Sequence, residues 1–161
     1  NHHKDYKNHI VTNVKKYIGE HVTERLSLNE VAAVFGISPN YLSQLFGKYN
    51  EVGFSEYINQ CKIAEAKRLL DEDNLKVYEI AEKLGYESSF YFSKVFKKVE
   101  GVSPTDYLRN YRLNKAMLLL KARQYNISEI AYMTGFTSPA YFTKCFRTLY
   151  GVTPTEAMVA N

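Results

Sequence analysis

Residues 77–105 read VYEIAEKLGYESSFYFSKVFKKVEGVSPT, and residues 127–155 read ISEIAYMTGFTSPAYFTKCFRTLYGVTPT, at an offset of 50 positions. The two stretches share Ile-Ala, a glycine followed by an aromatic residue, Tyr-Phe, Gly-Val and Pro-Thr at matching places. Self-similarity at a fixed period indicates a chain built from repeated supersecondary units. The repeat therefore decides how the rest of the sequence is divided.

A more distant copy lies upstream of these two. Tyr41-Leu42 and Phe46 keep the offset of 50 to Tyr91-Phe92 and Phe96, whereas Gly36 lies 49 positions before Gly85. The first turn is therefore one residue shorter. We divide the chain into three units, which are residues 1–57, 58–107 and 108–161.

Each unit carries the signals of a short helix, a tight turn and a second helix. In the second unit a helix near 77–84 ends at Gly85, and Ser88 caps a helix near 89–99. Apolar residues recur at helical spacing, serine favours the N-cap and glycine the C-terminal turn. The corresponding helix pairs are predicted at 28–35 and 39–49 in the first unit, and at 127–134 and 139–149 in the third.

Longer helices are predicted at 6–21, 55–71 and 105–122. The last two are apolar on more than one side, which is typical of helices packed on two sides. We expect them to be shared between neighbouring units as stiff spacers. Strand signals are nearly absent. The sequence therefore predicts an all-α fold of tandem, homeodomain-like helix-turn-helix units joined by long shared helices.

Composition excludes several classes of protein. The 161 residues carry a net charge of +4, and residues 108–161 hold seven Lys/Arg against two Asp/Glu. Cys61 and Cys145 fit no disulfide framework or metal spacing, so we expect reduced, buried thiols. The four histidines lie near the N-terminus with no ligand partner at metal spacing. No phosphate loop or nucleophile motif is present, so we expect neither enzyme activity nor a cofactor.

A short helix, a glycine turn and a second amphipathic helix form the helix-turn-helix that reads DNA. The generic pattern is weak evidence, but here it recurs at a constant interval. Each second helix begins with small or polar residues. Basic residues follow, and they suit phosphate contacts, which give affinity without reading sequence. They are Lys48, Lys94, Lys97, Lys98, Lys144 and Arg147.

The residues of the second unit resemble a known family. Ile80-Ala81, Gly85-Tyr86, Tyr91-Phe92, Phe96-Lys97-Lys98 and Gly101 with Ser103-Pro104 form a specific string. This string resembles the DNA-binding region of the arabinose-operon-regulator (AraC) family of bacterial transcription factors. Residues about 8–110 look like one complete family domain, most similar to the output domains of two-component response regulators. The resemblance implies binding to double-stranded DNA, with two recognition helices in successive major grooves about 34 Å apart.

The resemblance also implies which side chains contact DNA. Base-contacting positions are Asn40, Ser43 and Gln44 in the first unit, Ser89, Phe90, Ser93 and Lys94 in the second, and Thr143 and Lys144 in the third. Phosphate contacts are expected at Ser38, Lys48, Ser88, Lys97, Lys98, Ser138 and Arg147. For Lys97 and Lys98 a solvated helix face is the alternative. Tyr91, Phe92 and Phe96 are expected to face the core.

Two features depart from the family pattern. Glu51 stands where the other copies have Gly101 and Gly151, so the first unit is expected to have an altered exit turn. The family domain has two units, whereas this chain has three. The third repeats the family's second unit, and a natural extension or an engineered splice would both look like this. It either continues the array as a third lobe or pairs between chains as an oligomer contact.

A rival hypothesis is a protein-interaction module. Its helix-turn-helix units would have lost the ability to bind DNA and would contact another regulator or the RNA polymerase. Under either reading no apolar run is long enough for a membrane span, and we expect a cytoplasmic protein, associated with the nucleoid if it binds DNA.

Overall fold

The computed structural model describes residues 2–72 and 75–159, and within them every regular element is a helix. The all-α prediction is confirmed. The helices are α1 His2–Glu20, α2 Leu28–Val34, α3 Pro39–Tyr49, α4 Phe54–Glu72, α5 Val77–Lys83, α6 Ser89–Glu100, α7 Pro104–Ala122, α8 Ile127–Met133, α9 Pro139–Tyr150 and α10 Pro154–Val159.

The predicted short helix, turn and second helix occur as α2–α3, α5–α6 and α8–α9. Each short helix is followed, two residues after its end, by a glycine with positive φ: Gly36 at 67°, Gly85 at 78° and Gly135 at 92°. The amide after each glycine donates to a carbonyl five residues back, as Tyr86 N does to Ala81 O at 3.0 Å. This pair of features is the Schellman motif, which accommodates glycine without strain and satisfies the last helical carbonyls.

Serine caps fix the start of each second helix. Ser38, Ser88 and Ser138 each accept a hydrogen bond from the backbone amide three residues later, at 3.0–3.1 Å. An N-cap of this kind satisfies one of the free amides of the first turn and stabilises a helix by about 1 kcal/mol. The predicted helix starts are therefore confirmed.

The end of the second helix differs between the first copy and the others. Gly101 and Gly151 end α6 and α9 in the left-handed conformation, with φ of 87° and 77°. In the first copy Asn50 ends α3 with extended backbone, and its side-chain amide donates to Val52 O at 2.8 Å. The altered exit turn predicted from Glu51 is confirmed, and an asparagine side chain provides the hydrogen bond that closes it.

Helix α4 packs on two sides, as its apolar pattern predicted. It contacts α1 and α3 on one side and α5 and α6 on the other. Phe54 and Ile58 belong to the first core, and Ile63, Ala66 and Leu69 are buried further along the helix.

Cys61 is a free, half-buried thiol on α4, and Cys145 is likewise free and half-buried on α9. The full burial expected for both thiols is therefore not reached.

The chain divides into two compact units, Asn1–Pro104 and Thr105–Asn161. The first holds α1–α6, which carry the predicted units 1–57 and 58–107, and the second holds nearly all of α7 with α8–α10. In the second compact unit Leu113, Ala116 and Leu120 of α7 pack with Phe142 and Phe146 of α9. The partition into three functional units stays a prediction. None of the described helices is long and apolar enough to cross a membrane.

Candidate nucleic-acid interface

The outward face of α6 is set by its buried face. Phe92, Val95 and Phe96 are buried, at the i, i+3, i+4 spacing of one helix side. Phe90 and Lys94 lie one turn apart on the opposite side and are exposed. Ser89 and Ser93 flank them and are half-buried. The side chains predicted to contact bases therefore line the accessible side of a helix that is anchored by two phenylalanines.

Helix α3 repeats this division with different chemistry. Leu42, Leu45 and Phe46 are buried, whereas Asn40, Ser43 and Gln44 are exposed. The three exposed side chains are uncharged and can both donate and accept hydrogen bonds, since two are Asn or Gln amides and one is a hydroxyl. The outer face of α3 is therefore suited to read hydrogen-bonding patterns without a charge of its own.

Helix α9 presents a more basic face than α3. Phe142 and Phe146 are buried, Lys144 and Arg147 are exposed, and Thr143 is half-buried. Pro139 and Ala140 occupy the first turn and bring no hydrogen-bonding side chain. The four outward positions at i, i+3, i+4 and i+7 read Asn-Ser-Gln-Gly from residue 40, Phe-Ser-Lys-Lys from 90 and Ala-Thr-Lys-Arg from 140. We call these four positions in each copy the outer stripe.

Lys97 belongs to the outer stripe of α6, one turn beyond Lys94. Lys48, Lys97, Lys98 and Arg147 all lie in the last turn of their helices and are exposed. Cations in the last turn also complement the helix macrodipole, typically by about 0.3–1 kcal/mol. Their exposure keeps them available for phosphates, and their assignment as phosphate contacts stays a prediction.

The three capping serines keep one hydrogen-bonding function free of the cap. In each cap the hydroxyl oxygen accepts from the helix backbone, so its O–H can still donate outward. Ser38 and Ser88 are exposed, whereas Ser138 is half-buried. Helix N-termini of this kind favour anions, because free amides and the helix dipole point toward them.

Tyr91 does not face the core, which corrects the sequence-based expectation. Its side chain is 51% exposed, whereas Phe92 and Phe96 are fully buried as predicted. Tyr91 lies about 100° around the helix from Phe92, at the edge of the buried face. Its ring packs against Tyr86 with centroids 6.0 Å apart. The residue therefore borders the outer stripe of α6.

The matching tyrosine of the third copy contacts a cation. Hydrogen bonding with Tyr141 is the main cause that raises the pKa of Arg109, and the charge of Asp106 adds to it. Arg109 also donates to the Asp106 carboxylate. This arginine is therefore held beside α9, and it adds a basic group next to Lys144, with which it lines one surface groove. The sequence reasoning had given Arg109 no role.

A second residue missed by the sequence reasoning is Lys62 in α4. It is 5% exposed, and its ammonium group contacts backbone carbonyls from two other segments of the chain. The available signal was a lysine next to Ile63 in an otherwise apolar helical pattern, with Arg112 at the same place 50 positions later. Among residues 2–72 and 75–159, no group of His, Cys, Asp and Glu side chains could hold a metal ion.

Comparison with known families gives two overlapping matches. A family profile described as "Helix-turn-helix domain" matches residues 31–110 and again residues 91–158. The two matches overlap at residues 91–110, which cover α6 from Tyr91 onward and the first part of α7. Residues 91–110 thus end one match and begin the next, as expected for a continued repeat.

Individual relatives agree with this match. The chain is 43% identical over 76 residues to the uncharacterized HTH-type transcriptional regulator YijO of Escherichia coli, covering 47% of this chain and 27% of that protein. It therefore spans about a quarter of the length of this curated relative.

Two solved structures are similar in fold and sequence. One is the C-terminal domain of AraT, a response regulator from Geobacillus stearothermophilus, with 36% identity, a TM-score of 0.60 and coverage of 63% of this chain and 84% of that one. The other is the C-terminal domain of the two-component response regulator yesN from Fusobacterium nucleatum, with 33% identity, a TM-score of 0.59 and coverage of 62% and 98%. Our chain is thus longer than either domain.

Proposed function

Because this chain belongs to the AraC-type helix-turn-helix family, we propose that it is the DNA-binding output part of a bacterial transcription regulator. It binds double-stranded DNA and recognises its sequence by placing the recognition helices α3 and α6 in successive major grooves. The observation that carries the proposal is the largely exposed outer stripe of each second helix, which lies opposite a buried apolar face that includes at least one phenylalanine. A rigid helix that projects polar side chains is the form that enters a major groove.

The outer stripes suggest which bases are read. Asn40 and Gln44 can each bind adenine with two hydrogen bonds, and Lys94 can donate to the acceptors of guanine. Phe90 can contact the methyl group of thymine. Ser43, Ser89 and Ser93 are suited to either donate or accept at neighbouring positions. In this proposal the first unit recognises bases through side-chain amides, and the second recognises them through a cation and an aromatic ring.

Phosphate contacts supply most of the affinity. The capping serines Ser38, Ser88 and Ser138 donate their hydroxyl protons to phosphates near the helix N-termini, and Lys48, Lys97, Lys98 and Arg147 bind phosphates by charge. Contacts of this kind fix the register of the protein on the duplex but carry no sequence information.

The third unit is proposed to hold DNA more than to read it. Pro139 and Ala140 in its first turn bring no hydrogen-bonding side chain, and Thr143 and Lys144 are its candidates for base contacts. Residues 108–161 hold seven basic and two acidic residues, a net charge of +5, which favours phosphates. We treat residues 1–57, 58–107 and 108–161 as the functional units, with the third as an added lobe or a contact between two chains.

The relatives support a proposal for the setting of this activity. AraT and yesN are described as response regulators, which supports a role as the output part of a two-component system. Such a regulator acts in the cytoplasm, on the nucleoid, and RNA polymerase is a natural partner.

Selection from random duplexes, followed by DNase footprinting of the selected site, tests the proposal. We expect a protected site that spans at least two helical turns. Affinity should fall steeply with salt, because the logarithm of the binding constant decreases by roughly 0.9 per phosphate contact for each tenfold rise in salt. Weak binding to every duplex at both low and moderate salt would overturn the proposal in favour of a protein-interaction module.

A further inference from the structure

Lys62 is a buried cation whose donors point at three backbone carbonyls. Its Nζ donates to Val22 O and Glu24 O at 2.6 Å each and to Leu84 O at 2.5 Å. An ammonium group has three hydrogens, so all of them are used. The side chain is 5% exposed, and hydrogen bonds from a buried charge are stronger than those between neutral groups.

The three acceptors belong to different helix-turn-helix units. Val22 and Glu24 lie in the loop between α1 and α2, which belongs to the first unit. Leu84 ends α5 and immediately precedes the turn into α6 in the second unit. Lys62 itself projects from α4, the helix that joins the units. One side chain therefore ties the connecting helix to a loop of the first unit and to the turn of the second.

Gly85 shows how closely these two segments approach. A Cβ atom at this position would lie 3.2 Å from both Arg25 N and the carbonyl carbon of Glu24, so the turn rests directly on backbone of the loop. Beside it, the Tyr86 hydroxyl donates to Asn59 Oδ1 of α4 at 3.1 Å. We call the contact formed by Val22, Glu24, Lys62, Leu84 and Gly85 the interlock.

The interlock joins the loop that precedes α2 and α3 to the turn that precedes α6. Without it, the α1–α2 loop and the α5–α6 turn would be linked mainly through α4, and a single helix can bend and twist along its length. Leu84 directly precedes the turn that sets the direction of α6. A shift of the Leu84 carbonyl would therefore change the orientation of this recognition helix. If α3 and α6 occupy successive grooves, their separation must match the pitch of B-form DNA.

We propose that Lys62 is a positioning residue that sets the spacing and relative orientation of the two DNA-reading helices. The inference rests on the proposed function. It assigns to Lys62 no contact with DNA: the residue acts through α3 and α6. In the next copy Arg112 takes the position of Lys62, and its side chain lies 3.1–3.4 Å from where a Cβ of Gly135 would stand.

The test measures preference for spacing, using the full chain and the site selected with the unaltered protein. Three duplexes are compared by fluorescence anisotropy: the selected site, the same site with one base pair inserted between the half-sites, and a single half-site. One inserted base pair separates the half-sites by about 3.4 Å and rotates them by about 34°. The unaltered protein should lose at least about tenfold in affinity on insertion.

We expect Lys62→Met to bind the selected site about tenfold more weakly, and to distinguish the inserted site by less than about threefold. Its affinity for the single half-site should stay within about twofold of the unaltered protein. Lys62→Arg should restore the spacing preference, because arginine occupies this place in the next copy. Retained spacing preference in Lys62→Met, or an equal loss on the single half-site, would overturn the assignment.

The matched control is Lys67→Met, the same change on the same helix. Lys67 pairs with Glu100 at 3.1 Å within the second unit, so its loss should leave the spacing preference unchanged. If circular dichroism shows that Lys62→Met does not fold, Gly85→Ala is tested in its place. The added Cβ would push the α5–α6 turn away from the α1–α2 loop and so disrupt the interlock without changing Lys62. A folded Gly85→Ala protein with intact spacing preference overturns the assignment. Failure of the unaltered protein to bind any duplex refutes instead the proposed function.

Discussion

Lys94 Nζ lies 4.9 Å from the centroid of the Phe90 ring, one turn earlier on α6. Phe90 is 72% exposed, so its ring is held outside the core with a cation above it. An exposed cation–π contact contributes about 0.5–1 kcal/mol. The ring thus orients the side chain that is proposed to read guanine, and the pair acts as one element of the outer stripe.

The first prediction concerns this pair. Phe90→Ala and Lys94→Ala should each weaken binding to the selected duplex by roughly 1–3 kcal/mol, the contribution of a base contact. The double variant should lose less than the sum of the single losses, by about 0.5–1 kcal/mol, because the cation–π contact is counted twice. Anisotropy titrations of the four proteins give this coupling.

The third copy offers an internal control, since Ala140 and Lys144 occupy the places of Phe90 and Lys94. Lys144→Ala should therefore show no coupling with Phe90→Ala. Strict additivity of Phe90→Ala and Lys94→Ala would mean that the two side chains act independently on DNA.

The second prediction concerns the amide face of α3. Gln44→Ala should weaken specific binding by roughly 1–3 kcal/mol and relax the preference for adenine at one position of the site. Gln124→Ala is the control, because Gln124 is also exposed but lies in the loop before α8. Selection repeated with both variants measures the base preference. An unchanged site for Gln44→Ala would refute base contact by this residue.

Most of the fold could be predicted because the decisive signals are local. Glycine turns and serine caps mark the helix ends, and those predicted for α3 to α9 lie within one residue or so of the observed ones. Helix α1 was placed at 6–21 from its apolar face but begins at His2, before Tyr6, its first apolar residue. Local signals end a helix reliably, whereas their absence leaves its length open.

The interface was less predictable than the fold because it depends on tertiary packing. Tyr91 was placed in the core as part of an aromatic stripe with Phe92 and Phe96, yet it is exposed, because the edge of a buried face is set by the neighbouring helix. Lys62 donates a hydrogen bond to the carbonyl of Val22, 40 positions away, and no periodicity in the sequence predicts such a contact. The pattern predicted which helix faces are buried, but not the side chains that join one unit to the next.

The third prediction separates phosphate contacts from base contacts. Lys98→Ala should weaken binding to every duplex by a similar factor and reduce the salt slope by about 1. Lys98 lies outside the outer stripe and beside Lys97 in the last turn of α6. Titrations at four salt concentrations on selected and random duplexes provide the slopes. A loss confined to the selected duplex would instead assign Lys98 to base recognition.

The fourth prediction concerns autonomy of the first two units. A protein of residues 1–107 should fold and bind the selected site, because residues up to Pro104 form one compact unit and Pro104 is buried. Its salt slope should be smaller than that of the full chain, since seven basic residues are removed. Circular dichroism and anisotropy check both statements. Aggregation of the truncated protein would contradict two-unit autonomy.

The fifth prediction follows from the environment of Lys62. Burial lowers the pKa of this lysine from 10.5 to about 8, and the charge of Glu24 opposes the shift. Between these values the unfolded chain binds more protons than the folded chain, so the free energy of unfolding rises with pH. Relative to Lys62→Met, the unaltered protein should therefore gain stability between pH 8 and pH 10.5, and the difference should be constant below pH 8.

Urea denaturation of both proteins at pH 7, 8, 9 and 10 measures this difference, because the other titrating groups contribute equally and cancel. The sign of this stability difference shows whether the surroundings of Lys62 stabilise or destabilise its charged form. If the three carbonyl acceptors stabilised the ammonium form more than burial penalises it, the pKa of Lys62 would lie above 10.5. The unaltered protein would then lose stability relative to Lys62→Met only above that pH, and the rise between pH 8 and pH 10 would be absent.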